Sequence, residues 1–230
     1  MLTEQEQRWI DQTAIQTEIA LQHAEAGHDW WHIQRVWINA KEILAKETGV
    51  NECVVELATL LHDIADAKFH DGDEEIGPAR AIKILQQIGV DKSIIEPVVQ
   101  IIRHVSFKGG NTNTTYHSPE LAIVQDADRL DALGAIGIAR AFHYGGFRNR
   151  EIFNPTIAPL LQMDKETYRK NNGPTINHFY EKLLLLKDRM QTATGKAMAE
   201  ERHLFMEQFL QQFYAEWFGT NPVPELFTFD

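Results

Sequence analysis

The run Val54-Val55-Glu56-Leu57-Ala58-Thr59-Leu60-Leu61-His62-Asp63 decides how this chain is read. A histidine and an aspartate side by side at the end of so apolar a stretch are hard to explain as packing. Neighbouring side chains on a helix point about 100° apart. Both can therefore reach one point only where the helix finishes. There an imidazole nitrogen and a carboxylate oxygen can share a divalent metal.

Outward from that run the pattern stays helical. Thr3 with Glu6 is a capping-box start, and apolar residues recur through Trp9, Ile10, Ile15 and Ile19. A second helix carries His32, Ile33, Val36, Trp37, Ala40, Ile43 and Leu44, with Gly49 as its stop, and Asn51 caps the third. After the acidic loop Asp71–Glu75 the spacing predicts helices over 78–88 and 94–105, the latter with Pro97 near its start or at a kink. The polar segment 106–118 reads as a loop. Ser118-Pro119-Glu120 then opens a helix predicted to run through Leu130 and Leu133 to Ile138. A second loop is expected at 143–154, and two long helices at about 175–191 and 196–218. With no strand alternation, repeat or low-complexity tract, the prediction is all-α. It is a single domain over 1–230, with a core at about 20–145 and a C-terminal helical extension at about 146–220.

The totals narrow the function classes. Among 230 residues there are 22 Lys and Arg against 33 Asp and Glu, a net charge of −11. Nucleic-acid binding needs a basic face, so it is not expected. One cysteine, Cys53, rules out a disulfide framework and a Cys-rich zinc site. The N-terminus is polar, and no apolar run approaches membrane-spanning length. The expectation is a cytoplasmic protein without membrane association. Apolar faces on the C-terminal helices either close the core or support a homo-oligomer.

Further metal ligands are available on both sides of His62-Asp63. The second helix offers His32. The helix after Pro119 offers three acids in Asp126-Ala127-Asp128-Arg129-Leu130-Asp131. The order H…HD…D resembles the HD superfamily of metal-dependent phosphohydrolases, which are all-helical bundles. In that family the four residues bind one divalent ion, and the last aspartate lies in an Ala-Asp-(Arg/Lys)-Leu context. The resemblance therefore assigns the ligand role to His32, His62, Asp63 and Asp128. A second doublet, His28-Asp29, lacks the -x-x-Arg-Val context that follows His32, and is read as a decoy or a supporting pair. Two imidazoles and two carboxylates suit Mn²⁺, Mg²⁺, Fe²⁺, Co²⁺ or Ni²⁺ better than structural zinc. On an octahedral ion they leave about two positions for water and substrate oxygen.

The likeness narrows in several motifs. Gly27-His28-Asp29-Trp30-Trp31-His32, Arg103-His104-Val105-Ser106-Phe107-Lys108, Gln125 through Gly137, and Asn177-His178-Phe179-Tyr180-Glu181-Lys182-Leu183 are present, as are Thr192-x-x-Gly195-Lys196 and Ala199-x-x-Arg202. These resemble the bacterial YpgQ/YedJ-like branch, from about residue 20 to 212. That branch implies cleavage of nucleoside triphosphates between the α- and β-phosphates. Asp66, three residues past Asp63, holds the place where related enzymes put a Glu that orients or deprotonates water. It can equally be a solvated helix-terminal acid.

Lys68, Lys108 and Arg129 are candidate phosphate contacts. His104 is a phosphate contact, a second-metal ligand or a core histidine. Arg35, one turn past His32, is expected to support the site through an ion pair with Asp131 or another acid.

The expected protein is thus an enzyme, a metal-dependent phosphohydrolase taking a small nucleotide. A (deoxy)nucleoside triphosphate pyrophosphohydrolase comes first, with a nucleoside monophosphatase or an alarmone hydrolase as enzymatic alternatives. A non-catalytic, nucleotide-sensing metal-binding module is the alternative from another class.

Overall fold

The structure, a computed structural model, describes residues 2–22, 29–65, 73–105, 116–161, 163, 167, 171–224 and 227. The described residues form helices and turns and no strand, which is the all-α class the sequence predicted. They fall into two compact units, Met1–Asp128 and Arg129–Asp230.

The first unit is built on one buried helix. It comprises α1 (Glu4–Ala20), α2 (Trp30–Leu44), α3 (Glu52–Leu61), α4 (Ile76–Ile88), α5 (Lys92–Val105) and most of α6 (Pro119–Leu130). Every residue of α3 from Cys53 to Leu61 is buried. A helix apolar on all sides must be enclosed on all sides, and α1, α2 and α5 pack around it. Its single buried acid, Glu56, accepts a 2.7 Å hydrogen bond from Trp37 Nε1. Each Leu, Ile or Val removed from water here contributes about 1.5–3 kcal/mol before chain entropy is set against it.

Helix starts follow the sequence signals. Thr3 and Glu6 form the reciprocal capping box, and the Asn51 side chain accepts from Val54 N. Gly89, at φ +81, ends α4 in the left-handed conformation that favours glycine.

The second unit departs further from expectation. The helix predicted from Ser118 to Ile138 is broken: α6 stops at Leu130 and α7 runs Gly134–Phe147. The break turns on Gly134, whose φ is +67. Helix α7 continues through Gly145-Gly146, where a loop was predicted. Gly145 packs so tightly on Thr175 that an added Cβ would lie 2.2 Å from its Oγ1. The long helix predicted at 175–191 is instead the short α8 (Asn177–Glu181) followed by two 3-10 turns, Leu183–Leu185 and Lys187–Arg189. Phe179, Leu183, Leu186 and Met190 are all buried. Their three- and four-residue spacing records which side faces inward, and a chain of tight turns meets it as well as one helix does. Helix α9 (Ala193–Phe218) packs on α7 and begins at Thr192, whose Oγ1 accepts from Gly195 N.

Candidate metal centre

Three elements of the first unit deliver the predicted ligands to one place. Helix α2 begins at Asp29, whose Oδ1 accepts from His32 N at 3.0 Å, so His32 stands in the first turn. The doublet member Asp29 is therefore the cap of the helix that carries His32, while His28 lies outside the described residues. Helix α3 closes at Leu61, leaving His62 and Asp63 in the turn that follows. At a helix end neighbouring side chains can converge, and these do.

His32, His62 and Asp63 each place one ligand atom within 4.8 Å of the others. His32 Nε2 is 3.6 Å from Asp63 Oδ2 and 3.5 Å from Asp128 Oδ1. His62 Nε2 is 3.8 Å from each of the same two oxygens. The imidazoles meet edge to face with centroids 5.4 Å apart.

These separations exceed ordinary hydrogen bonds. With metal–ligand bonds of about 2.1 Å, neighbouring donors lie about 3.0 Å apart on an octahedron and about 3.4 Å apart on a tetrahedron. The four nitrogen–oxygen separations, 3.5–3.8 Å, are wider than these by less than 1 Å. A mixed nitrogen and oxygen donor set fits a divalent transition ion or Mn²⁺. The imidazole side chains are 2% exposed, against 21% for Asp63 and 35% for Asp128. The nitrogens thus close the inner side, and the carboxylates border solvent, where a substrate can enter.

Residues that the sequence reading did not single out hold this arrangement. His62 Nδ1 lies 2.7 Å from the Thr59 carbonyl. A carbonyl only accepts, so Nδ1 carries the proton and Nε2 presents its lone pair to the cluster. Buried Asn39 of α2 donates through Nδ2 to the Ala127 carbonyl at 3.1 Å, tying α2 to α6 one residue before Asp128. Both are bonds from a side chain to a backbone carbonyl, and backbone partners leave no sequence signature. The cap at Asp29 did have one, since Asp before an apolar-periodic run is a helix start.

The remaining predicted residues divide. His104 ends α5, half-buried, with Nδ1 2.8 Å from the Gln100 carbonyl and its ring 5.4 Å from that of Tyr116. Gln125, one turn before Asp128, donates to the His104 carbonyl at 2.8 Å. Arg35 stands half-buried one turn past His32 on α2. Asp131, 1% exposed, accepts a hydrogen bond from Arg140 within the second unit. Arg129 Nη1 donates to the Arg189 carbonyl, which engages that nitrogen within the second unit. Asp66, Lys68 and Lys108 lie outside the described residues. None of the described helices is long and apolar enough to cross a membrane.

Known proteins share both the sequence and the fold. A family model for the HD domain matches residues 30–133, a span that includes all four converging residues. YpgQ of Bacillus subtilis (strain 168) is 36% identical over 208 residues, covering 90% of this chain and 93% of YpgQ. The chain belongs to the YpgQ-like branch of the HD superfamily. Two solved structures extend the match to three dimensions. A crystal structure of an HD-superfamily hydrolase from Bacillus thuringiensis has 42% identity and a TM-score of 0.73, covering 92% of this chain and 98% of that one. The crystal structure of Bacillus subtilis YpgQ in complex with ADP has 31% identity and a TM-score of 0.73, covering 97% and 100%. The HD domain, the likeness to the Bacillus thuringiensis hydrolase along nearly the whole chain and the His/Asp cluster support a metal-dependent hydrolase.

Proposed function

We propose that this HD protein hydrolyses nucleotides, and that its reaction is cleavage of a (deoxy)nucleoside triphosphate between the α- and β-phosphates. The observation that carries the reading is the convergence of His32, His62, Asp63 and Asp128. The ADP complex of YpgQ supports a nucleotide as the substrate class.

His32 and His62 offer Nε2 atoms, and Asp63 and Asp128 offer carboxylates, as ligands for one divalent ion such as Mn²⁺, Mg²⁺, Co²⁺ or Ni²⁺. When bound, that ion supplies Lewis-acid polarisation of a phosphoryl oxygen and a lowered pKa for water. The chain's other groups then have defined tasks. Thr59 holds the His62 ring by its Nδ1–H, which keeps Nε2 directed at the cluster. Asp66, close to Asp63 in sequence, accepts a proton from the attacking water. As the water oxygen bonds to the α-phosphorus, the bond from that phosphorus to the α–β bridging oxygen breaks. Pyrophosphate leaves with the electron pair, and nucleoside monophosphate remains. Lys68 and Lys108 offset the charge that gathers on the leaving oxygens. His104, held at the end of α5, contacts a phosphate oxygen.

The test is to strip the protein of metal and assay pyrophosphate and orthophosphate separately. Nucleoside mono- and triphosphates are supplied with and without Mn²⁺, Mg²⁺, Co²⁺ or Ni²⁺. Pyrophosphate with monophosphate, formed only with metal, is the expected result. Orthophosphate from monophosphates makes the protein a nucleotidase, and nucleotide binding without either product makes it a sensor.

A further inference from the structure

The motifs Asp131 to Gly137 and Ala199-x-x-Arg202 have no task in the reaction as described, and the structure joins them. Helix α6 ends at Leu130, two residues after Asp128. The last carbonyls of a helix lack partners within it. Here two arginines supply them. Arg202 Nη1 donates to the Leu130 carbonyl at 2.7 Å. Arg140 Nη1 donates to the Asp131 carbonyl at 3.2 Å and to the buried Asp131 carboxylate. The Leu130 carbonyl also accepts from Leu133 N at 3.1 Å, so its acceptor capacity is filled from two directions. Positive charge at a helix C-terminus is favourable as well.

Two glycines make the arrangement possible. Gly134, at φ +67, reverses the chain, and an added Cβ there would lie 3.2 Å from Cβ and Cγ of Arg202. Gly137 lies so close to the turn that a Cβ would be 2.2 Å from the Ala132 carbonyl oxygen. The two glycines bring the aliphatic stem of Arg202 and the start of α7 against the turn, which fixes where the guanidinium lands. The bonds act on the last turn of the helix that carries Asp128, and rotation of that turn by one residue would move Asp128 by about 100°.

We propose that Arg202, supported by Arg140, is a positioning residue that sets the register in which Asp128 faces His32 and His62. This rests on the reading of those residues as metal ligands. Its effect is on the affinity of the site for metal rather than on whether the chain folds.

The experiment is calorimetric titration of the intact, metal-stripped protein with Mn²⁺, in the wild type, Arg202→Ala, Arg202→Lys and Asp128→Ala. Amide exchange at 129–134 and the melting temperature are followed alongside. Arg202→Ala is expected to lower Mn²⁺ affinity by about 10- to 100-fold, the loss typical of groups that support metal ligands. Exchange at 129–134 should quicken, and Arg202→Lys, which keeps the charge and one donor nitrogen, should recover part of both. Unchanged Mn²⁺ affinity in Arg202→Ala, with Asp128→Ala impaired, overturns the positioning role alone. Unchanged affinity in Asp128→Ala overturns the metal reading beneath it. If Arg202→Ala unfolds, Arg202→Lys decides: reduced affinity at an unchanged melting temperature supports the role, and wild-type affinity overturns it.

Discussion

His32 Nε2 and Asp128 Oδ1 stand 3.5 Å apart, although α2 and α6 lie towards opposite ends of the first unit's sequence. What brings them together is α3, buried along its length, with α2 packed against it and His62-Asp63 presented at its end. The Asn39 bond to the Ala127 carbonyl then ties α2 directly to α6. The site is thus a consequence of the core.

Replacing His62-Asp63 by Ala-Asn removes two of the four converging groups. Metal-dependent turnover should fall by more than the about 10- to 100-fold seen when supporting groups are removed. Far-UV circular dichroism should keep its helical form, because the pair lies beyond the last residue of α3. Substantial remaining turnover would contradict the assigned chemistry.

Glu56 makes a prediction about pH. Burial raises its carboxyl above the ordinary range, against the opposing hydrogen bond from Trp37 and the charge of Lys41; Glu52 and Asp11 reinforce the rise. A raised carboxyl binds its proton more tightly folded than unfolded, so its contribution favours folding at low pH and is lost as pH rises. Glu56→Gln keeps an oxygen for Trp37 and removes the cost of ionisation. Its melting temperature should exceed the wild type's by a few degrees at pH 8, with the gain vanishing near pH 4. An equal difference at both pH values would show that the carboxyl is not the cause.

His178 acts in the acid range. Burial, and then the charges of Lys182 and Arg150, lower its pKa to about 3 from an ordinary 6.5. The unfolded chain takes up the proton first, so stability falls as pH drops below about 6.5. By pH 4 this group's share of the loss is about 3 kcal/mol. Urea denaturation of His178→Asn against the wild type at pH 7 and pH 4 should show a smaller acid loss in the variant. Parallel losses would refute the assignment.

The extent to which sequence disclosed all this differs between the units. In the first, Thr3, Asn51 and the apolar run of α3 state their own structure, because caps and burial are local and periodic. In the second, Leu133, Ile136 and Ile138 continue the apolar spacing across a real break, and only Gly134 and Gly137 mark it. The four converging side chains were legible through their motif. The partners that hold them were not: Thr59 and Ala127 contribute backbone carbonyls, which any residue would supply. The pairing of Asp131 with Arg140 spans the unforeseen turn between α6 and α7, so no regular helical spacing announces it.

Gly137 and Gly145 offer a contrast in what a methyl group costs. An added Cβ at Gly137 would meet the backbone of Ala132, its oxygen at 2.2 Å and its carbon at 2.4 Å. At Gly145 it would meet the Thr175 side chain, which can rotate. Gly137→Ala should destabilise by about 3 kcal/mol or more, and Gly145→Ala by about 1–2 kcal/mol. Urea midpoints of the two variants check the order, and a reversed order would contradict the packing described.

Anomalous diffraction from crystals grown with Mn²⁺ reads out whether the four side chains hold one divalent ion. One strong peak is expected within bonding distance of Nε2 of His32, Nε2 of His62 and a carboxylate oxygen of each of Asp63 and Asp128. A peak coordinated by other residues, or none at a concentration that supports turnover, would contradict it.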